Sequence, residues 1–423
     1  EATLRYLLAQ NAAGCAVTII EGVMGYYDGL GLTTTRASTW ETAQKTASPT
    51  VLVINARGAA LSVLAAVQGF LQFQPQSGIR GVILNGCTAM SYAPLAKELE
   101  ARFGIKACGY LPRLPACTLE SRHLGLKIAA EIEDLQRKIR ILADSAQKTI
   151  DWPRFTALFD RPDPAAVPCT LPPAKVRIAV ARDAAFCFTY AETLEALEEN
   201  GAELCFFSPL QDAALPTDID GLYLPGGYPE LYAVQLAANI AMRAAVKTAV
   251  QSGLPTVAEC GGFLYLGQTL QDADGSAYPM AGVLPGQGVR GGRLVRFGYA
   301  TLTARADSML FHAGETLPVH EFHHWDSTEN GDAFTAAKAN GRQWACGFAN
   351  ARLYAGFPHL YWAGTPLPKR FAAAAEHYIK ETSSKQAKHL RTLCTANPSQ
   401  ALQLANCTIT TMQKDLSTCS VFR

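Results

Sequence analysis

Short apolar, β-branched runs alternate with helical stretches along this chain, and that alternation predicts its architecture. Ala16-Val17-Thr18-Ile19-Ile20, Thr50 to Asn55 and Gly81 to Asn85 are compact apolar runs, preceded by a helix over Ala2 to Gln10 and separated by helical stretches. Strand, helix, strand at this spacing predicts a parallel sheet with helices on its faces. A second block repeats the pattern, with strands at Val176 to Ala181, Ala202 to Phe207, Gly221 to Leu224 and Pro255 to Ala258. Its helices run from Tyr190 to Asn200 and from Met242 to Ser252, and Gly201 and Gly253 end them as C-caps. Between the blocks, six prolines from Pro153 to Pro173 exclude long helices and sheet interiors, so residues 151–175 read as an interdomain linker. After residue 382 Ser, Thr, Gln, Asn and Lys dominate without an apolar period, and 383–423 reads as a disordered tail. The expected fold is α/β, with two doubly wound domains of mainly parallel sheets at 1–150 and 176–382.

Composition narrows the partners. The chain has 423 residues, 49% of them hydrophobic, which suffices for two or more cores. With 37 basic against 36 acidic side chains the net charge is +1, so nothing electrostatic favours nucleic acid or an anionic membrane. No apolar run approaches the roughly 20 residues of a membrane helix, and no signal peptide is visible. The 12 cysteines are scattered without a CxxC pair, which argues against zinc ribbons and for a reducing cytoplasm. A cytoplasmic protein with a small-molecule substrate is expected.

One cysteine stands apart. In Thr256-Val257-Ala258-Glu259-Cys260-Gly261-Gly262-Phe263 a strand feeds a helix through a tight turn of small residues. Such a turn projects the side chain above the sheet, and the following helix start aims N–H groups at a developing oxyanion. The helix start also lowers the thiol pKa. Cys260 is therefore the candidate nucleophile. A base must come from one of two clusters, Val319-His320-Glu321-Phe322-His323-His324 or Gly356-Phe357-Pro358-His359, and spacing alone does not choose. Leu224-Pro225-Gly226-Gly227-Tyr228-Pro229-Glu230 offers a strand end and a glycine loop as oxyanion donors.

Taken in order, these segments resemble the class I (triad-type) glutamine amidotransferase domain fused to a dethiobiotin-synthetase-like, P-loop-NTPase-like ATP domain. Further signatures are Glu21-Gly22-Val23-Met24-Gly25-Tyr26-Tyr27-Asp28-Gly29, Ala179 to Phe186, Phe207 to Leu210 and His320-Glu321-Phe322-His323. The forms around Cys260 and His320 resemble the cobyrinate a,c-diamide synthase branch of that family. The resemblance implies a ligase of cobalamin biosynthesis that takes glutamine, ATP, Mg²⁺ and a corrinoid or related tetrapyrrole. It implies Cys260 as nucleophile, His359 as its base, and Gly227 and Gly261 as oxyanion-hole amides. His320 and His323 then shape the pocket. Tyr361 stands where many relatives carry a Glu two residues after the histidine, so a Cys–His dyad is expected.

In the first block the resemblance makes Glu21 a magnesium ligand at a buried strand end, Asn85 the residue that recognises adenine, and Asp28 with Gly29 part of the substrate pocket. The glycine-rich phosphate loop of the family is missing; no Gly-Lys dipeptide occurs. With Glu1 already inside a helix, an N-terminally truncated chain with weak or no ATP binding is expected. The same reaction on hydrogenobyrinate or a nickel sirohydrochlorin stays open, as does a chain that only hydrolyses glutamine or binds.

Overall fold

A computed structural model describes residues 1–119, 121–122, 125–126, 129, 132–159 and 171–396. The chain divides into two compact units, Glu1–Pro168 and Cys169–Arg423.

In the first unit three parallel strands pair in the order Thr50–Asn55, Ile79–Asn85 and Lys106–Leu111. Helices Ser62–Gln72 and Ala89–Phe103 make the crossovers. The second is capped by the Thr88 hydroxyl, which accepts from the Ser91 amide, and ends at Gly104 in the left-handed region. Leu52, Val67, Val82, Leu84 and Leu99 form the core between sheet and helices. The first helix spans Ala2–Ala12.

The expected strand at 16–20 is not there. Ile19 is 76% exposed, and among the described residues the segment pairs with no other strand. An apolar run supplies surface to bury, but a strand exists only when a neighbour takes up its N–H and C=O groups.

The second unit holds a six-stranded sheet in the order Phe348–Ala349, Leu353–Gly356, Thr256–Glu259, Gly221–Leu224, Val176–Ala181 and Ala202–Phe207. All neighbours are parallel except the first pair. Three interior strands are buried at every position, which is why they read as unbroken apolar runs. Helices Ala191–Glu199 and Ile240–Gln251 are each followed within two residues by a positive-φ glycine, Gly201 and Gly253.

A seven-stranded sheet, mostly antiparallel, was not foreseen. Its spine is the long ribbon of Gln287–Ala304 against Thr316–Ser327, whose far edge pairs with His359–Leu360. Gly288, Gly291, Gly292 and Gly298 break the alternation that would have marked the first of these strands.

Two further corrections concern the ends of elements. Helix Leu367–Ala396 carries regular structure through 383–396, where a disordered tail was expected; 397–423 lies outside the described residues. Within the proline-rich stretch a short helix forms at Trp152–Thr156, with Pro153 in its first turn, and 160–170 lies outside the described residues.

Candidate functional site

Three adjacent parallel strands deliver the site. Thr256–Glu259 is the middle strand and ends directly at Cys260, while Leu353–Gly356 and Gly221–Leu224 flank it. Parallel strands place their carboxyl ends on one edge, so the segments leaving them converge there. From that edge emerge the Cys260 turn, Phe357-Pro358-His359 and Pro225-Gly226-Gly227.

Cys260 sits at φ +47°, ψ −100°, just ahead of helix Gly261–Leu266. A non-glycine residue at positive φ is strained, and surrounding hydrogen bonds must hold it there. The Cys260 amide donates to the Gly356 carbonyl at 2.8 Å, and the Cys260 carbonyl accepts from the Leu264 amide at 3.0 Å. The Gly262 amide donates to Pro225 at 3.0 Å, and a Cβ on Gly262 would collide with the Leu224 carbonyl oxygen. The cysteine is 6% exposed, and burial pushes its thiol pKa up, with the Glu230 and Glu321 carboxyls adding to the shift. The Gly261 amide opposes that shift by hydrogen bonding at the sulfur. The lowered pKa expected from the helix start is thus corrected in this resting geometry: desolvation outweighs the helix terminus.

Gly227 faces the same turn. Its φ of +156° and the Ala185 carbonyl oxygen beneath it exclude a side chain. Its nitrogen lies 3.0 Å from where a Cβ on Gly261 would stand, so the two candidate donors are neighbours. The loop is tied down by the Tyr228 amide donating to Ala185 at 2.9 Å and the Phe188 amide donating to Gly226 at 3.1 Å. Asp183 sets the Ala185 end, accepting from the Ala185 amide at 2.8 Å and from the Ser208 hydroxyl at 2.9 Å.

The two histidine clusters are one cluster in space. His359 pairs with His320 across the antiparallel ladder. His359 is buried, and burial holds its pKa down at about 3, with His320 and His323 adding repulsion, so the imidazole is neutral. Its Nδ1 has no hydrogen-bond partner among the described residues. His323 is buried and engaged at both nitrogens, Nδ1 at 2.6 Å from the Trp325 carbonyl and Nε2 at 3.0 Å from Glu321. Its ring stacks on Phe357 with centroids 3.8 Å apart. His320 is half-buried against Tyr299 and Phe297. Of the three histidines, His359 is the most deeply held in its neutral form, while both nitrogens of His323 are engaged.

Two carboxylates that sequence reasoning passed over stand close by. Glu259 is 2% exposed, accepts from Trp362 Nε1 at 3.2 Å and from the Tyr223 hydroxyl at 3.3 Å, and lies 3.9 Å from His359 Nδ1. Burial raises its pKa to about 8. Glu230, buried in the Pro229–Tyr232 turn, is raised to about 7 by the same cause. A carboxylate inside the apolar run Thr256 to Ala258 was the available signal for Glu259.

The first-unit candidates have a different setting. Glu21 is exposed and ends no strand, so the buried strand-end ligand expected there is corrected. Among the described residues no three His, Cys, Asp or Glu side chains gather to hold a metal. Asn85 does end its strand, in register with Asn55 and Leu111, and is exposed. Asp28 is exposed in a turn where its amide donates to Gly25 at 3.1 Å, and Gly29 adjoins the Thr34 and Arg36 carbonyls. Among the described residues no helix is long and apolar enough to cross a membrane.

Known proteins match this picture. Residues 177–366 match the CobB/CobQ-like glutamine amidotransferase domain family. A cobyrinate a,c-diamide synthase of Caldanaerobacter subterraneus is 38% identical over 366 residues, covering 85% of this chain and 81% of the relative. One from Priestia megaterium is 36% identical over 371 residues, covering 86% and 80%. One from Salmonella typhimurium is 34% identical over 394 residues, covering 89% and 84%. With identity of this level running through both units, the chain belongs to the cobyrinate a,c-diamide synthase family of glutamine-dependent amidating ligases.

Proposed function

We propose that this chain amidates the a and c acetate side chains of cobyrinate, taking ammonia from glutamine and activating each carboxylate with ATP as an acyl phosphate. The Cys260 turn carries the reading: a strained cysteine at a strand-to-helix junction with two neighbouring glycine amides, on the sheet edge from which the buried His359 also emerges. The names and coverage of the relatives supply the substrate class.

The chemistry follows from these groups. His359 takes the Cys260 thiol proton as sulfur attacks the side-chain carbonyl carbon of glutamine. The oxyanion forms against the Gly227 and Gly261 amides. When the C–N bond breaks, the imidazolium returns its proton to the departing ammonia, leaving a thioester that water hydrolyses to glutamate. A free carboxylate is too poor an electrophile for ammonia. Phosphorylation by ATP gives it a leaving group, and ammonia displaces phosphate to form the amide. Two rounds give the diamide.

The test is glutamate release from glutamine by the wild type, Cys260→Ala and His359→Ala, followed by product masses with cobyrinate and ATP. Loss of release in both variants and a product bearing two amide groups would support the reading. Release retained by Cys260→Ala would sink it. Amidation of hydrogenobyrinate or nickel sirohydrochlorin in preference to cobyrinate would move the substrate while leaving the chemistry.

A further inference from the structure

The expected Cys–His dyad leaves a buried imidazole with nothing to orient it. His359 Nδ1 is enclosed and has no hydrogen-bond partner among the described residues. Buried polar atoms in that condition are rare and call for an explanation. The residue two positions on, Tyr361, cannot supply a carboxylate; its ring packs on Tyr190 with centroids 5.4 Å apart. A carboxyl group nonetheless stands 3.9 Å from Nδ1, on the strand that carries the nucleophile rather than on the strand that carries the histidine.

Glu259 reaches that position for a structural reason. It is the last residue of its strand, in register with Gly356, and the next amide, that of Cys260, is tied to the Gly356 carbonyl. The strand end therefore fixes the carboxyl and the thiol together, one residue apart. Three donors aim the carboxyl: Trp362 Nε1 at one oxygen, the Tyr223 hydroxyl at the other, and the Leu360 amide. A glutamine would keep one acceptor oxygen for these donors and turn an NH2 group toward the rest, with the Tyr223 hydroxyl able to accept from it. What only a carboxylate adds is a negative charge facing the imidazole, and that is useful only if the ring becomes charged.

We infer that Glu259 is a positioning residue for His359, accepting the Nδ1 hydrogen and so fixing the tautomer that leaves Nε2 free to take the Cys260 thiol proton. The S–H bond breaks and an Nε2–H bond forms, while the Nδ1 proton stays on nitrogen throughout. The ionised form of Glu259, whose share grows as pH rises through about 8, balances the imidazolium charge until ammonia leaves with the Nε2 proton. At 3.9 Å the pair is longer than a hydrogen bond, and catalytic contacts of this kind tighten when substrate is bound. The remaining titratable groups that interact with Glu259 are Tyr223, Tyr190, Tyr354 and Cys260. Neutral phenols and a thiol do not compete for the imidazolium.

The inference rests on Cys260 being the glutaminase nucleophile. Release of glutamate by Cys260→Ala would end that reading; the results below concern Glu259 alone. In the full chain, Glu259→Gln keeps volume and one of the two acceptor oxygens while removing the charge. The expected result is a kcat for glutamate release lower by about 100-fold, with the glutamine KM changed less than about twofold. A kcat within about threefold of wild type would overturn the inference, as would a loss confined to KM. If Glu259→Gln does not fold, or if wild-type turnover is too slow to read, the wild type decides through ¹⁵N-histidine spectra with His359 assigned by its loss in His359→Ala. The Nδ1–H tautomer is expected, and an Nε2–H tautomer would overturn the assignment.

Discussion

The two units carry their candidate chemistry in opposite ways. In the second, Cys260, His359 and Glu259 are each under a tenth exposed and lie at or just beyond the ends of two neighbouring parallel strands, Thr256–Glu259 and Leu353–Gly356. In the first, Glu21, Asp28 and Asn85 are all exposed, and only Asn85 ends a strand. The contrast teaches what burial adds. A nucleophile, a base and two backbone donors act together only when their separations are fixed in advance, and the hydrogen-bond ladder of a buried sheet provides that. Exposed groups on turns lack that ladder and take their geometry from whatever ligand they meet.

The largest effect that would sharpen this contrast is at Cys260. Cys260→Ala is expected to lower glutamate release by about 10⁴-fold or more while leaving the melting temperature near that of the wild type, read by a coupled glutamate assay and calorimetry. A release rate within tenfold would break the comparison at its centre. Next comes the scaffold under the oxyanion donors. Gly227→Ala places a methyl group against the Ala185 carbonyl oxygen, so a loss of roughly 1–3 kcal/mol is expected together with about 100-fold slower release. An unchanged denaturation midpoint would mean the loop is looser than its hydrogen bonds imply.

The third test uses pH. His359 is held at about 3 in the folded chain, below its ordinary 6.5, because burial disfavours the charged ring. Its contribution to stability is fully present above pH 6.5 and is lost as pH falls from there toward 3. Glu259 moves the other way, from an ordinary 4.5 to about 8, and its contribution is present below pH 4.5 and lost as pH rises through 8. Glu230, raised to about 7, has the sign of Glu259. The wild type should therefore lose more stability between pH 5 and 8 than Glu259→Gln does, measured by thermal melts at both pH values. Equal slopes would mean Glu259 is ionised in the folded chain across that range.

The smallest expected effect lies in the first unit. Ile19 is 76% exposed, and Ile19→Ser should change stability by no more than about 0.5 kcal/mol in chemical denaturation. A loss of about 2 kcal/mol, the scale of a buried isoleucine, would reinstate the strand that the apolar pattern predicts at 16–20.

Much of the second unit was legible because its strands are short, mostly apolar runs; Val176–Ala181, the edge strand Ala202–Phe207 and Gly221–Leu224 occur at the residues expected. The turn at Cys260 was legible for the same local reason. The antiparallel ribbon was not. Its first strand is interrupted by glycines, and pairing Gln287–Ala304 with Thr316–Ser327 is a long-range choice that no window of sequence expresses. The stretch at 16–20 failed in the converse sense, with strand-like composition and no partner.

By itself the sequence determined which residues could do the chemistry: a cysteine between a strand and two glycines, histidines in two distant segments, and a glycine loop after a strand. Tertiary structure decided which of them meet. It set His320 opposite His359, occupied both nitrogens of His323, and left His359 Nδ1 bare beside Glu259. The physical reason is that residue type and spacing encode local conformation and the wish to be buried. The distance between two side chains, and the pKa that burial imposes on each, exist only after the strands have paired.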